Sequence, residues 1–113
     1  MKCKHISSGF TVAERVEEAR SFKTRLLGLM FRKNLAAGSG LFLAPCQQIH
    51  MCFMNFAIDV LFCDKAGVVV GVLENFKPWR ISRIFWAARQ ALELPAGTLK
   101  GRVRVGDKIE FIP

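Results

Sequence analysis

Cys46, His50, Cys52, Met54 and Asp59 lie close together in the otherwise apolar segment 46–59. Imidazole, thiolate and thioether are soft ligands, suited to Cu(I) or, without the thioether, to zinc. In an extended strand Cys46, His50, Cys52 and Met54 share parity and project to one face. The spacing Cys-x3-His-x-Cys, however, is not that of a structural zinc site. Pro45 and Gln47-Gln48 also interrupt any strand running through them. The expectation is therefore no metal and no cofactor, with Cys46, His50 and Cys52 as weak metal candidates. The alternative is a histidine satisfied by backbone hydrogen bonds, with sulfur side chains packed around it.

Asp59, inside Ala57-Ile-Asp-Val-Leu-Phe62, poses the sharper question. A carboxylate in such a run is costly to bury unless it is hydrogen-bonded or paired. It either accepts backbone N–H groups or meets an arginine such as Arg25 or Arg32, or it lines a cleft with His50 as an orienting or ligand-binding group. Glu93, between Leu92 and Leu94 and just before Pro95-Ala-Gly97, caps the segment that follows, pairs with a nearby base or faces solvent. Trp79-Arg80 after Pro78 reads as a packed corner or as a recognition edge, since Trp and Arg are favoured at interfaces. The ligand-binding candidates are thus His50, Met54, Asp59, Trp79, Arg80 and Glu93.

These residues must be positioned by short elements. Phe10–Val16 alternates and reads as a strand. Ser21 is a plausible N-cap for a helix carrying Phe22, Leu26, Leu29 and Met30 at helical spacing. From Leu41 the pattern becomes β: Leu41–Ala44, Ile49–Met54 and Ala57–Cys63 are apolar and strand-length. Asp64-Lys-Ala-Gly67 is a hairpin turn leading into the β-branched run Val68–Leu73. Ile81–Ala88 fits a loop or a short helix. Arg89–Leu94 and Lys108–Ile112 read as strands, with turns at Pro95–Gly97 and Gly106-Asp107. The fold class expected is α+β: one compact domain over residues 1–113, dominated by an antiparallel, partly barrel-like sheet with one or two short helices.

Composition sets the outer limits. At 113 residues and 51% hydrophobic, the chain can bury a core without a metal or disulfide. The N-terminus lacks the apolar run of a signal peptide, and the most apolar window is too short and polar to span a bilayer. A cytoplasmic protein with free thiols is expected. The net charge of +8 is uneven. Residues 1–33 and 77–113 each hold eight Lys/Arg and three acids, around a centre with one Lys and three acids. The charges are scattered singly, and no helix-turn-helix, RNA-recognition or zinc-finger signature is present.

Several motifs together resemble the DUF192 family of uncharacterised conserved prokaryotic proteins, most strongly over residues 25–113. They are Arg25-Leu-Leu-Gly-Leu-Met30 with Arg32 and Leu35, Gly40-Leu-Phe, Pro45-Cys46, Ile49-His50, Met54, Phe56, Ile58-Asp59-Val60, Pro78-Trp-Arg80, Leu92-Glu-Leu-Pro-Ala-Gly97 and Gly106-Asp107. Met51 and Ala57 depart from the Thr and Pro common in the family. The missing hydroxyl beside His50 argues against a strict catalytic role. The resemblance implies a compact, mainly β domain with small helices and no established activity or cofactor. It also carries the expectation of a bacterial protein and a hint of pilus-assembly or secretion neighbourhoods.

Three functions follow as expectations. The first is a binding or accessory module for a protein or small-molecule ligand, with a cleft around His50, Met54 and Asp59 and with Trp79 and Arg80 at its rim. The second is a small enzyme using His50 and Asp59 as an acid–base pair, which needs both in one pocket. Against an enzyme stands the lack of a nucleophile elbow, P-loop, dinucleotide fingerprint or zincin motif. The third is a basic adaptor for nucleic acid or an anionic membrane surface.

Overall fold

The computed structural model describes residues 1–19, 34–51 and 54–113. The helix expected from Ser21 onward lies outside the described residues. Among those described there are eight strands and no helix: β1 (Lys2–His5), β2 (Thr11–Ala13), β3 (Arg15–Ala19), β4 (Ser39–Leu43), β5 (Ile58–Cys63), β6 (Val69–Phe76), β7 (Gln90–Pro95) and β8 (Ile109–Ile112). The described residues are all-β, which corrects the α+β expectation over that part of the chain. The 81–88 segment is not the short helix it might have been, because its backbone groups pair with residues 46–51 instead.

The strands form a three-stranded sheet of order β2-β1-β8 and a five-stranded sheet of order β3-β4-β7-β5-β6. Only β3 and β4 run parallel. Neither sheet closes, so the barrel-like expectation is also corrected. The small sheet stands across a core from the large one, the two being stitched by contacts such as the Val68–Lys108 bridge.

Period-2 alternation explains the layering. Phe42, Leu61, Cys63, Leu92 and Leu94 face the small sheet and pack with Cys3, Val12, Leu99, Val103 and Ile109. The intervening residues Leu41, Leu43, Val60, Phe62 and Ala91 face the other way and pack with Ile49, Met51, Met54 and Phe85. The thiols of Cys3 and Cys63 are pushed up to about 12, chiefly by burial, and behave as small apolar fillers.

The hairpin between β5 and β6 forms as its residues require. Asp64 Oδ1 accepts the N–H groups of Ala66 and Val68, and Gly67 sits at φ +87°. β1 carries no apolar alternation beyond Cys3 and was not expected, yet it is the central strand of the small sheet. The expected strand Phe10–Val16 is split at Glu14 into β2 and β3, which join different sheets.

Asp107, just before β8, ties that strand's entry turn to the end of β1. Its Oδ2 accepts the N–H of Arg104 (2.9 Å) and the His5 Nε2–H (2.9 Å). The Arg104 N–H first, and the His5 bond second, hold this carboxyl below its ordinary 3.8. A carboxyl whose folded value is lowered stabilises the fold above its unfolded value, and that contribution is lost as pH falls through the lowered one. Asp107→Asn should therefore destabilise at neutral pH. The gap between wild type and variant in urea midpoint should narrow once the pH drops below 3.8. A gap that stays constant into strong acid would contradict this role.

Candidate functional site

Residues 46–51 and 79–89 run antiparallel as a ribbon over the outer face of the five-stranded sheet. Met51 N–H donates to Arg80 O (2.7 Å), Trp79 N–H to Met51 O (2.8 Å), Ser82 N–H to Ile49 O (2.9 Å) and Phe85 N–H to Gln47 O (2.8 Å). Side chains lock it further: Gln47 Nε2 donates to Trp86 O and Gln48 Nε2 to Ser82 O, each at 2.8 Å. The Ser82 hydroxyl accepts Ile49 N–H (3.1 Å) and donates to Arg83 O (2.8 Å). Of the strand expected over Ile49–Met54, the described residues form a single bridge, His50 opposite Ile81, and residues 52–53 lie outside the described residues. Its partner is this excursion and not the main sheet.

Alternation along the ribbon sorts the side chains. Ile49, Met51, Ser82, Phe85 and Ala88 are buried. The Phe85 ring stacks on Phe62 with centroids 4.3 Å apart. It lies against Gly71, where a Cβ would collide with the ring, so β6 needs a glycine there to seat the ribbon. His50 points outward beside Ile81. Trp79 (63%), Ile81 (64%) and Trp86 (73%) are exposed to an extent unusual for large apolar side chains. Lys77, Arg80, Arg83 and Arg89 are interleaved with them, and residues 77–92 contain no acid. Arg83 lies 4.2 Å over the Phe85 ring.

The other sequence candidates are dispersed. Asp59 is fully buried on the opposite face of the same sheet, sharing parity with Leu61 and Cys63. Its Oδ1 accepts Asn75 N–H (2.9 Å) and its Oδ2 accepts Leu99 N–H (3.0 Å). The β5–β6 register slips here, so that Glu74 and Asn75 together oppose Asp59, with Asn75 at φ +52°. The bulge takes Asn75 N–H out of the ladder, and the carboxyl receives it. His50 and Asp59 therefore share no pocket, and the acid–base pair does not assemble. Met54 is buried among the apolar side chains beneath the ribbon. Glu93 is buried on that same face, between Leu41 and Val60 of the neighbouring strands.

Cys46 is partly exposed, with its thiol directed at Gln48 O (3.4 Å), and Cys52 lies outside the described residues. Among the described residues no group of three or more His, Cys, Asp or Glu side chains is arranged to hold a metal ion. Among them, too, no helix is long and apolar enough to cross a membrane. Sequence reasoning singled out Trp79, Arg80 and His50 but missed Ile81, Arg83 and Trp86. The absence of any acid across residues 77–92 was the signal that pointed to them.

The DUF192 family model (Uncharacterized ACR, COG1430) matches residues 4–111. A UPF0127 protein of Pyrococcus horikoshii is 41% identical over 103 residues, covering 85% of this chain and 86% of its own. One from Pyrococcus abyssi is 38% identical over 104 residues, covering 87% and 86%. These relatives are archaeal and do not support the expectation of a bacterial protein. A solved structure of a candidate transcription regulator from Sinorhizobium meliloti 1021 superposes with TM-score 0.80 at 29% identity, over 96% of this chain and 91% of that one. A protein of unknown function from Novosphingobium aromaticivorans shares the fold, with TM-score 0.76 at 21% identity over 98% and 93%. With one family model spanning nearly the whole sequence and archaeal relatives aligned along most of their length, the chain belongs to the DUF192 family.

Proposed function

We propose that this protein is a binding module that docks an acidic protein surface onto the basic, aromatic ribbon of residues 46–51 and 79–89. The observation that carries the reading is the exposure of Trp79, Ile81 and Trp86 on a hydrogen-bonded ribbon whose 79–89 segment carries arginines and no acid. Trp and Arg side chains held on a rigid frame bind at low entropic cost. Acidic groups on the partner would meet Arg80, Arg83 and Arg89 while its apolar centre covers the rings. Asp59 and Met54 support the fold beneath rather than line the surface. Buried reduced thiols at Cys3 and Cys63 fit action in a reducing compartment, and we propose a cytoplasmic location.

A second reading, nucleic-acid binding, is favoured by the net charge of +8 and by the description of the Sinorhizobium neighbour. Rings interleaved with arginines also suit stacking on unpaired bases. The protein reading is preferred because the cations stand singly between apolar side chains and form no continuous track for phosphates.

The chain has two Trp and no Tyr, and both Trp are on the ribbon, so intrinsic emission reports directly on its occupancy. Titration with an acidic amphipathic peptide should shift that emission. Trp86→Ala should weaken binding of the labelled peptide by at least about thirtyfold, as for an interface anchor. A single-stranded oligonucleotide that binds tighter than the peptide, with affinity collapsing between about 50 and 200 mM salt, would favour the second reading. No emission change with either ligand would overturn both.

A further inference from the structure

Far from the ribbon, the loop between β1 and β2 brings a serine, a histidine and a carboxylate into one line. The His5 side chain is 5% exposed. Its Nε2 lies 2.9 Å from Asp107 Oδ2 and its Nδ1 lies 2.6 Å from Ser8 Oγ. The hydrogen bonds assign the tautomer. The carboxylate is acceptor-only, so Nε2 carries the proton. Ser8 N–H also points at Nδ1 (3.4 Å), which leaves that nitrogen as an acceptor. Ser8 Oγ accepts Phe10 N–H at 3.1 Å, so its own proton is free to donate to Nδ1. A hydroxyl bonded to a bare imidazole nitrogen, with the far nitrogen held by a carboxylate, is the arrangement that activates a nucleophile. Here Nδ1 is the base and Nε2 the anchored end, opposite to the usual assignment.

The same residues open onto a cavity of about 520 Å³, lined also by Ser7, Phe10, Arg102 and Arg104. Arg102 is held 4.6 Å over the Phe10 ring. Ser8 is exposed, whereas the base behind it is shielded from water. Two guanidinium groups at the rim suit a substrate bearing a carboxylate or phosphate.

We propose that Ser8 is a nucleophile that accepts acyl groups from esters carrying an anionic substituent, with His5 as its general base and Asp107 as the residue that positions His5. Ser8 Oγ bonds to the acyl carbon as its proton passes to His5 Nδ1. The ester C–O bond then breaks, and the leaving oxygen takes that proton from His5. Water, deprotonated by the same nitrogen, releases the acyl group as the acid and returns the serine. Arg102 and Arg104 hold the substrate's anionic group.

The test compares wild type with Ser8→Ala, the fold of each checked by its thermal midpoint. The probes are a fluorophosphonate label, p-nitrophenyl acetate and the p-nitrophenyl monoester of succinic acid. Wild type should take one label, located at Ser8 by peptide mass mapping, and cleave the succinyl ester faster than the acetyl ester. Ser8→Ala should lose both labelling and cleavage. The double variant Arg102→Gln/Arg104→Gln should lose about tenfold of the preference for the succinyl over the acetyl ester. No label on folded wild type, or equal ester cleavage by Ser8→Ala, overturns the proposal.

Discussion

Replacing Asp59 by alanine is expected to destabilise the protein by about 3–5 kcal/mol, more than any other single truncation of a polar group described above. The two N–H groups that it satisfies, from Asn75 and Leu99, lie outside the regular ladder: in a bulge in one case and a connecting loop in the other. Each buried donor left unsatisfied costs about 1–3 kcal/mol. The loop is also tied to Pro95 O by the Thr98 hydroxyl (2.6 Å), while Gly101 N–H donates to the Glu74 carboxylate at 3.2–3.3 Å in a solvent-exposed and correspondingly weak contact. Urea denaturation should show the midpoint falling with an unchanged slope. Asp59→Asn keeps one acceptor oxygen and should lose roughly half as much. In both variants that remain folded, Trp emission and ribbon binding should match wild type, since Asp59 lies across the sheet from the ribbon. Loss of binding at full stability would return Asp59 to the recognition site.

Gly67→Ala is expected to cost about 3 kcal/mol from two separable sources. The residue sits at φ +87°, where an L side chain costs about 1 kcal/mol or more. A Cβ there would also stand 2.6 Å from the carbonyl oxygen of Ile109. That backbone cannot retreat, because Ile109 N–H donates to Gly67 O at 2.9 Å and the contact joins the hairpin to β8. Gly97→Ala is the control. Its φ is +85°, but its Cβ would meet open space, so only the conformational cost remains. The difference in thermal midpoint between the two variants isolates the close approach. Equal losses would mean that the β5–β6 turn and β8 do not pack as tightly as described.

Much of the sheet was legible in the residue pattern. Leu41–Ala44, Ala57–Cys63, Val68–Leu73, Arg89–Leu94 and Lys108–Ile112 each lie within a residue or three of an observed strand, because apolar alternation and turn residues are local signals. The Asp64–Gly67 turn formed for the reason its residues suggested. β1 was not legible, since Lys-Cys-Lys-His buries alternate residues only because β2 and β8 flank it. Ile49–Met51 forms no strand of the main sheet because Ile49 and Met51 pack on the sheet while their backbone pairs with residues 79–82, some thirty positions away.

The candidate site divided in the same way. Residue types alone marked His50, Asp59, Glu93 and Trp79-Arg80 as out of place in an apolar chain. Whether they converge depends on strand parity and on which face of the sheet each segment covers. A shift of one residue moves a side chain to the opposite face. Parity turns Asp59 toward the small sheet, where two backbone N–H groups claim it, and pairing with Ile81 turns His50 to solvent. His5, Ser8 and Asp107 show the converse. Two are near neighbours in sequence and the third is about a hundred residues away, so only the pairing of β1 with β8 brings them into hydrogen-bonding distance. Composition and local pattern thus determine that this chain is a β-rich, basic protein with a few misplaced polar residues. Long-range strand pairing decides which of those residues meet, because hydrogen bonds and burial act on neighbours in space.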